Sequence, residues 1–170
     1  NCRAFAKLGY VTVSMSYRLL EITTEVFINP GLEFQKEVVR SMHDMRAAIR
    51  FLRKTVAEDN NPYGINPNII IVGGYSAGAI LANHATYMDE QSEIPAELAS
   101  YVAQQGGLAG LSGHPTYPSH SQMVISLCGA IKDTTYMTTG SAPYVGVHNQ
   151  TDNVVPNMFG QPSVGISIPV

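Results

Sequence analysis

The sequence predicts an α/β fold built on a parallel sheet, and three observations predict it. Strand-like and helix-like patterns alternate along the chain. Ile69, Ile70, Ile71 and Val72 form a β-branched run that suits a strand buried on both faces of a parallel sheet. Phe34, Val38, Met42, Met45, Ile49, Leu52 and Val56 recur at steps of four and three, one apolar face of a 3.6-residue period.

The elements follow in order. Cys2 to Leu8 reads as a short helix broken at Gly9, and Tyr10 to Met15 as a strand. Leu19 to Leu32 is a connection ending in the turn signal Asn29-Pro30-Gly31. Glu33 to Glu58 is the long helix, with Lys36, Arg40, Arg50 and Arg53 mainly off its apolar stripe and Asn60 to Gly64 ending it. Asn68 to Val72 is the buried strand, and a second helix runs from Ala77 to about Met88. Glu90 to Leu98 is a short helix. Ala103 to Gln122, rich in Gly, Ser, Pro and His, is a long surface loop. Met123 to Leu127 and Tyr144 to His148 are further strands.

Composition bounds the function classes. A chain of 170 residues, 45% apolar and 14% charged with net charge −3, fits one folded domain and excludes a disordered one. Ten basic against 13 acidic residues disfavour a dedicated nucleic-acid binder. No apolar run approaches the roughly 18 residues of a membrane span. Cys2 and Cys128 are too few for a disulfide scaffold, and Cys128 reads as a buried free thiol. No spacing suits a metal site, and no cofactor is expected. The chain opens on Asn1-Cys2-Arg3 and stops at Ile168-Pro169-Val170, in an apolar, β-branched stretch that reads as the beginning of a strand. Both ends read as cut, so residues 1–170 are expected to be the central part of one domain.

Gly74-Tyr75-Ser76-Ala77-Gly78 matches Gly-x-Ser-x-Gly, directly after the buried strand and at the start of a helix. In that context Ser76 is the candidate nucleophile, held on a strained strand-to-helix turn. Gly74 and Gly78 are expected to be glycines because a Cβ at either position would clash. The Ala77 N–H, at the helix start, is the candidate oxyanion donor. A phosphate loop is the competing reading, but no Walker lysine and no Gly-x-Gly-x-x-Gly follow. Ser112, two residues from His114, has no strand before it and is set aside.

With these residues the chain resembles the α/β-hydrolase superfamily in its carboxylesterase and lipase branch. The resemblance runs through Gly9 to Leu19 with its Tyr17-Arg18-Leu19 ending, Asp44 with the Ala47 to Leu52 run, Tyr63 to Asn68, the Ser76 elbow, and His148 to Pro156. Tyr75 stands where this branch usually has an acid, and Asn149 where it has glycine. The resemblance implies a partial α/β-hydrolase fold, a central parallel sheet with flanking helices. It implies an oxyanion loop upstream of Tyr10, a structural Arg18–Asp44 pair, and export from the cytoplasm.

Asp152, after the last strand, is the candidate triad acid; its competing reading is a turn residue. Asp133 is the rival acid. The family order places the catalytic histidine after the acid, and no histidine follows Asp152, so the catalytic His is expected outside these residues. His148 is read as structural, His43 as a surface or edge residue, His84 as pointing away from the site, and His114 and His120 as loop residues. Tyr136 and Met137 line a substrate pocket or simply pack. The expected function is a serine carboxylesterase acting through an acyl-enzyme on a small-molecule ester, short-chain or carbohydrate-linked. The alternative is a non-catalytic binding or structural protein on the same fold.

Overall fold

A computed structural model describes residues 2–160 and 162. Its core is a three-stranded parallel sheet in the order β1-β2-β3, with β1 at Ile71–Tyr75, β2 at Met123–Leu127 and β3 at Tyr144–Val147. Ile71 pairs with Met123 and Val124 with Tyr144, so the strands end together at Tyr75, Leu127 and Val147. Parallel strands need crossovers, and α4 (Ala77–Tyr87) with α5 (Ala99–Gln104) supplies the first. The architecture is the α/β one predicted, a parallel sheet flanked by helices.

The long helix α3 spans Pro30–Glu58, three residues longer at its start than the pattern suggested. Asn29 and Pro30 are not a turn: Asn29 Oδ1 accepts the Leu32 N–H at 3.2 Å and Pro30 sits at the first helical position. An N-cap amide followed by a proline that lacks the donor is a preferred helix opening. Two shorter helices, α1 (Cys2–Lys7) and α2 (Thr24–Ile28), precede it. Met42, Met45 and Ile49 of α3 pack with Val72, Val124, Leu81 and Ala85 in the main core.

Three local expectations are corrected. Tyr10 to Met15 forms no strand among the described residues, and Val11 and Val13 are exposed. A strand exists only as part of a ladder, and the described sheet brings this segment no partner. The nucleophile strand is not covered on both faces: α3 and α4 bury Val72, while Ile71 is 38% and Tyr75 68% exposed. Glu90 to Leu98 is two short 3-10 turns, Gln91–Glu93 and Ala96–Leu98, and α5 follows, ending two residues into the predicted loop. The strand start at Ile168 lies outside the described residues.

Three arginines of α3 are buried. Arg50 is 1% exposed and Arg53 is buried with it, as is Arg46. None turns to water. Arg46 Nε and Nη2 donate to the Ala85 and Met88 carbonyls at 3.0 and 2.8 Å, closing the end of α4, and Nη1 donates to Leu108 O. Arg50 donates to Ala109 O at 2.7 Å and to Ser112 O. Arg53 donates to Pro67 O and Pro118 O at 3.0 and 2.7 Å. A glycine-rich loop has no ladder for its own carbonyls, so buried guanidinium groups take that part. The 103–122 loop is therefore tied along α3.

His43, read as a surface residue, is also buried there. Its ring lies against Gly110, where an added Cβ would come within 2.6 Å of the ring carbon Cγ. Burial, with Arg46 close by, lowers its pKa to about 4. The unfolded chain therefore binds a proton near pH 6.5 that the folded chain refuses until about pH 4. Stability falls as pH drops through that window, by on the order of 2–3 kcal/mol at pH 4.5. Urea unfolding at pH 7 and 4.5 measures the loss, and His43→Leu removes the His43 share of it, leaving that of buried His84.

Candidate active site

The Gly74–Gly78 segment folds as the sharp turn the motif requires. β1 ends at Tyr75, α4 begins at Ala77, and Ser76 between them has φ 53° and ψ −119°. A non-glycine residue rarely holds a positive φ, and the conformation costs on the order of 1–3 kcal/mol. Hydrogen bonds on both sides hold it: the Ser76 N–H donates to Leu127 O at 2.8 Å, and Ser76 O accepts the Ala79 and Ile80 N–H groups at 2.9 and 3.0 Å.

The two motif glycines are not equivalent. A Cβ on Gly74 would lie 2.6 Å from Ala79 N and closer still to the Gly78 carbonyl. On Gly78 it would meet only the Tyr17 hydroxyl, at 3.9 Å. Gly78 is therefore not required by a clash, contrary to the expectation. It leaves open the space that Tyr17 faces. Ala77 is the exposed first residue of α4, where N–H groups lack intrahelical acceptors and the helix dipole favours negative charge.

Ser76 and Ala77 open onto a cavity of about 410 Å³. Tyr17 to Leu20, Ile22, Val38 and Ile80 line it with Val154 and Val155. The loop after β3 thus reaches the nucleophile's cavity. Asp152, which begins that reach, is half-buried. Its Oδ1 accepts the Val154 and Val155 N–H groups at 2.9 Å each, and its Oδ2 lies 3.7 Å from His148 Nε2. Those backbone donors, then His148 and the Cys128 thiol, hold its pKa below the usual carboxylate value. Asp152 is charged at neutral pH, and its contribution to stability is lost only as pH falls through the lowered pKa.

The histidines are all occupied elsewhere or remote. His148 Nε2 bonds Val155 O at 2.8 Å, the structural contact expected of it. His84 is buried, its Nδ1 on Ile80 O at 2.8 Å and its Nε2 accepting the Lys132 N–H at 3.2 Å, and burial lowers its pKa. His114 is exposed beside Phe51. Asp133 Oδ1 accepts the Thr135 N–H and hydroxyl at 2.8 and 2.7 Å and caps the turn at Thr134–Tyr136. Tyr136 packs in the core, with its hydroxyl on Glu93 O at 2.8 Å. Cys128 is a free, half-buried thiol with φ 52°.

Arg18 and Asp44 pair in two-pronged fashion, Nε within 3.1 Å of both carboxylate oxygens and Nη2 at 2.7 Å from Oδ1. The Arg18 N–H also donates to Asp44 Oδ2 at 2.9 Å. This fixes the Tyr17–Leu20 wall to α3. Sequence reading missed the wall itself: Leu19, Leu20 and Ile22 sit in a segment with no period, and nothing local marks them. Among the described residues, no group of three or more His, Cys, Asp or Glu could hold a metal ion, and no helix is long and apolar enough to cross a membrane.

Residues 1–108 match the family model BD-FAE. No curated protein matches the chain. Among solved structures it is similar to one described as a truncated form of a carbohydrate esterase from gut microbiota, at 18% sequence identity and a TM-score of 0.49. That likeness covers 69% of this chain and 52% of the other, so the chain spans about half the length of that structure.

Proposed function

The chain belongs to the BD-FAE family, of α/β-hydrolase-type esterase domains, and from that premise we propose that it is the central part of a serine carboxylic-ester hydrolase with Ser76 as nucleophile. The observation that carries the reading is the Ser76 backbone, held at φ 53° where β1 meets α4 and facing an open cavity. A packing or binding loop has no use for that strain.

In this reading the Ser76 hydroxyl oxygen attacks the ester carbonyl while a histidine outside these residues takes its proton. The carbonyl oxygen becomes an oxyanion beside the Ala77 N–H. The intermediate collapses, the C–O bond breaks, and the alcohol leaves with the proton. Water then releases the acid by the same steps. Asp152 holds the histidine's tautomer and stabilises its charged form. The substrate is a small-molecule ester.

A fluorophosphonate applied to the full-length protein tests the reading: a mass adduct on the peptide containing Ser76 is expected. An intact protein that takes up no label overturns it in favour of the non-catalytic alternative. Asp152→Asn separates the acid role from the loop role. Asn keeps an oxygen for the Val154 and Val155 N–H groups but not the charge. Thermal unfolding is expected to move little while kcat falls on the order of a hundredfold or more. A kcat within threefold of the parent protein returns Asp152 to a turn residue.

A further inference from the structure

We infer that the acyl part of the substrate extends past Ile80 into a second apolar compartment, which makes this site selective for esters of longer acyl chains. The inference rests on the Ser76 reading and adds the substrate class. A second cavity, of about 370 Å³, adjoins the first, and Phe34, Val38 and Ile80 line both. Ile80 lies one helical turn beyond Ser76 on α4. Phe34 and Val38, only half-buried, face it from α3. Phe34, Val38 and Ile80 are thus the apolar wall common to the Ser76 cavity and the second one, along the α3–α4 seam.

The far walls are Val39, Met88, Leu98, Ala130 and Ile131. The one histidine among the lining residues adds no free polar atom. His84 Nδ1 is on Ile80 O and its Nε2 on the Lys132 N–H, so the ring offers carbon to the space. Polar character is confined to one side, where Lys132 Nζ holds Gln35 Oε1 at 2.5 Å. An aliphatic chain loses water there and leaves no buried group unpaired. The acyl side is the occupant because it stays bonded to Ser76 through both chemical steps, whereas the alcohol must depart before water enters. The two volumes together are of the size that buries a small organic ligand.

The test is a series of p-nitrophenyl esters, from acetate through butyrate and hexanoate to octanoate, with the full-length protein. Each added methylene that reaches the compartment is expected to raise kcat/KM by about three- to fourfold. Ala130→Phe fills the far compartment without touching the Ser76 cavity, and Ile131→Trp does so from the neighbouring position. Either is expected to remove the rise beyond butyrate, read as the ratio of hexanoate to butyrate. Thermal unfolding identifies a variant that has not folded, and the other then decides. A flat series in the parent protein, or a rise that both variants preserve, overturns the inference. Ser76→Ala separates the two claims: hydrolysis that survives it sinks the serine reading, whereas loss across the whole series with a flat parent profile sinks only the compartment.

Discussion

Ser76→Ala is expected to lower kcat by on the order of ten-thousandfold or more, across every ester tested. The size follows from what is removed: without the oxygen there is no acyl-enzyme, and only binding and the oxyanion donors remain to act on water. The fold should hardly notice. Ser76 makes no side-chain hydrogen bond that caps α4, and its three backbone hydrogen bonds use atoms that alanine keeps. Alanine also tolerates φ 53° no worse than serine, since each carries a Cβ. Unfolding in urea and hydrolysis of p-nitrophenyl butyrate therefore come apart in this variant. A kcat within tenfold of the parent protein would remove Ser76 from the chemistry.

Gly74→Ala is expected to cost more than about 4 kcal/mol and to yield insoluble or non-cooperatively unfolding protein. The added carbon would lie 2.6 Å from Ala79 N and overlap the Gly78 carbonyl. Those are backbone atoms of the first turn of α4, so no side chain can swing aside. Relief requires moving α4 against β1 or relaxing the Ser76 conformation. Gly78→Ala is the matched control. Its Cβ has only the Tyr17 hydroxyl at 3.9 Å, and alanine in a helix is favoured over glycine by up to about 1 kcal/mol. It should be as stable as the parent protein or slightly more so. Equal destabilisation by the two substitutions would contradict the geometry of the turn. The motif writes its two glycines symmetrically, but only the first stands against another backbone.

Local pattern reached the elements whose cause is local. β2 and β3 begin at Met123 and Tyr144 as read from the sequence, α3 follows its stripe, and the strand–Ser76–helix turn stands where the motif stands. Each rests on periodicity, a glycine or a cap within a few residues. The pairing of Arg18 with Asp44 came from resemblance, and the structure shows it. Which residues carry the chemistry is still a proposal at Ser76, Ala77 and Asp152.

Long-range contacts decided burial and pairing at several positions. Arg50 lies off the apolar stripe of α3, where a charge ordinarily meets water. It is buried because a loop some 60 positions later, with no ladder of its own, presents the Ala109 and Ser112 carbonyls to it. His43 reads as an edge residue and is buried by Gly110 of the same loop. Tyr10 to Met15 has the composition of a strand and pairs with nothing among the described residues, since composition favours a strand but a neighbour makes one. The α/β alternation, the apolar face of α3 and the strand-to-helix turn at Ser76 are set by neighbours along the chain and are legible there. Long-range packing makes three arginines bind a loop, makes Gly74 and not Gly78 sterically required, and brings Leu19, Val38, Ile80 and Val155 to the wall of one cavity. Those outcomes depend on atoms far apart in sequence, whose meeting no local period encodes.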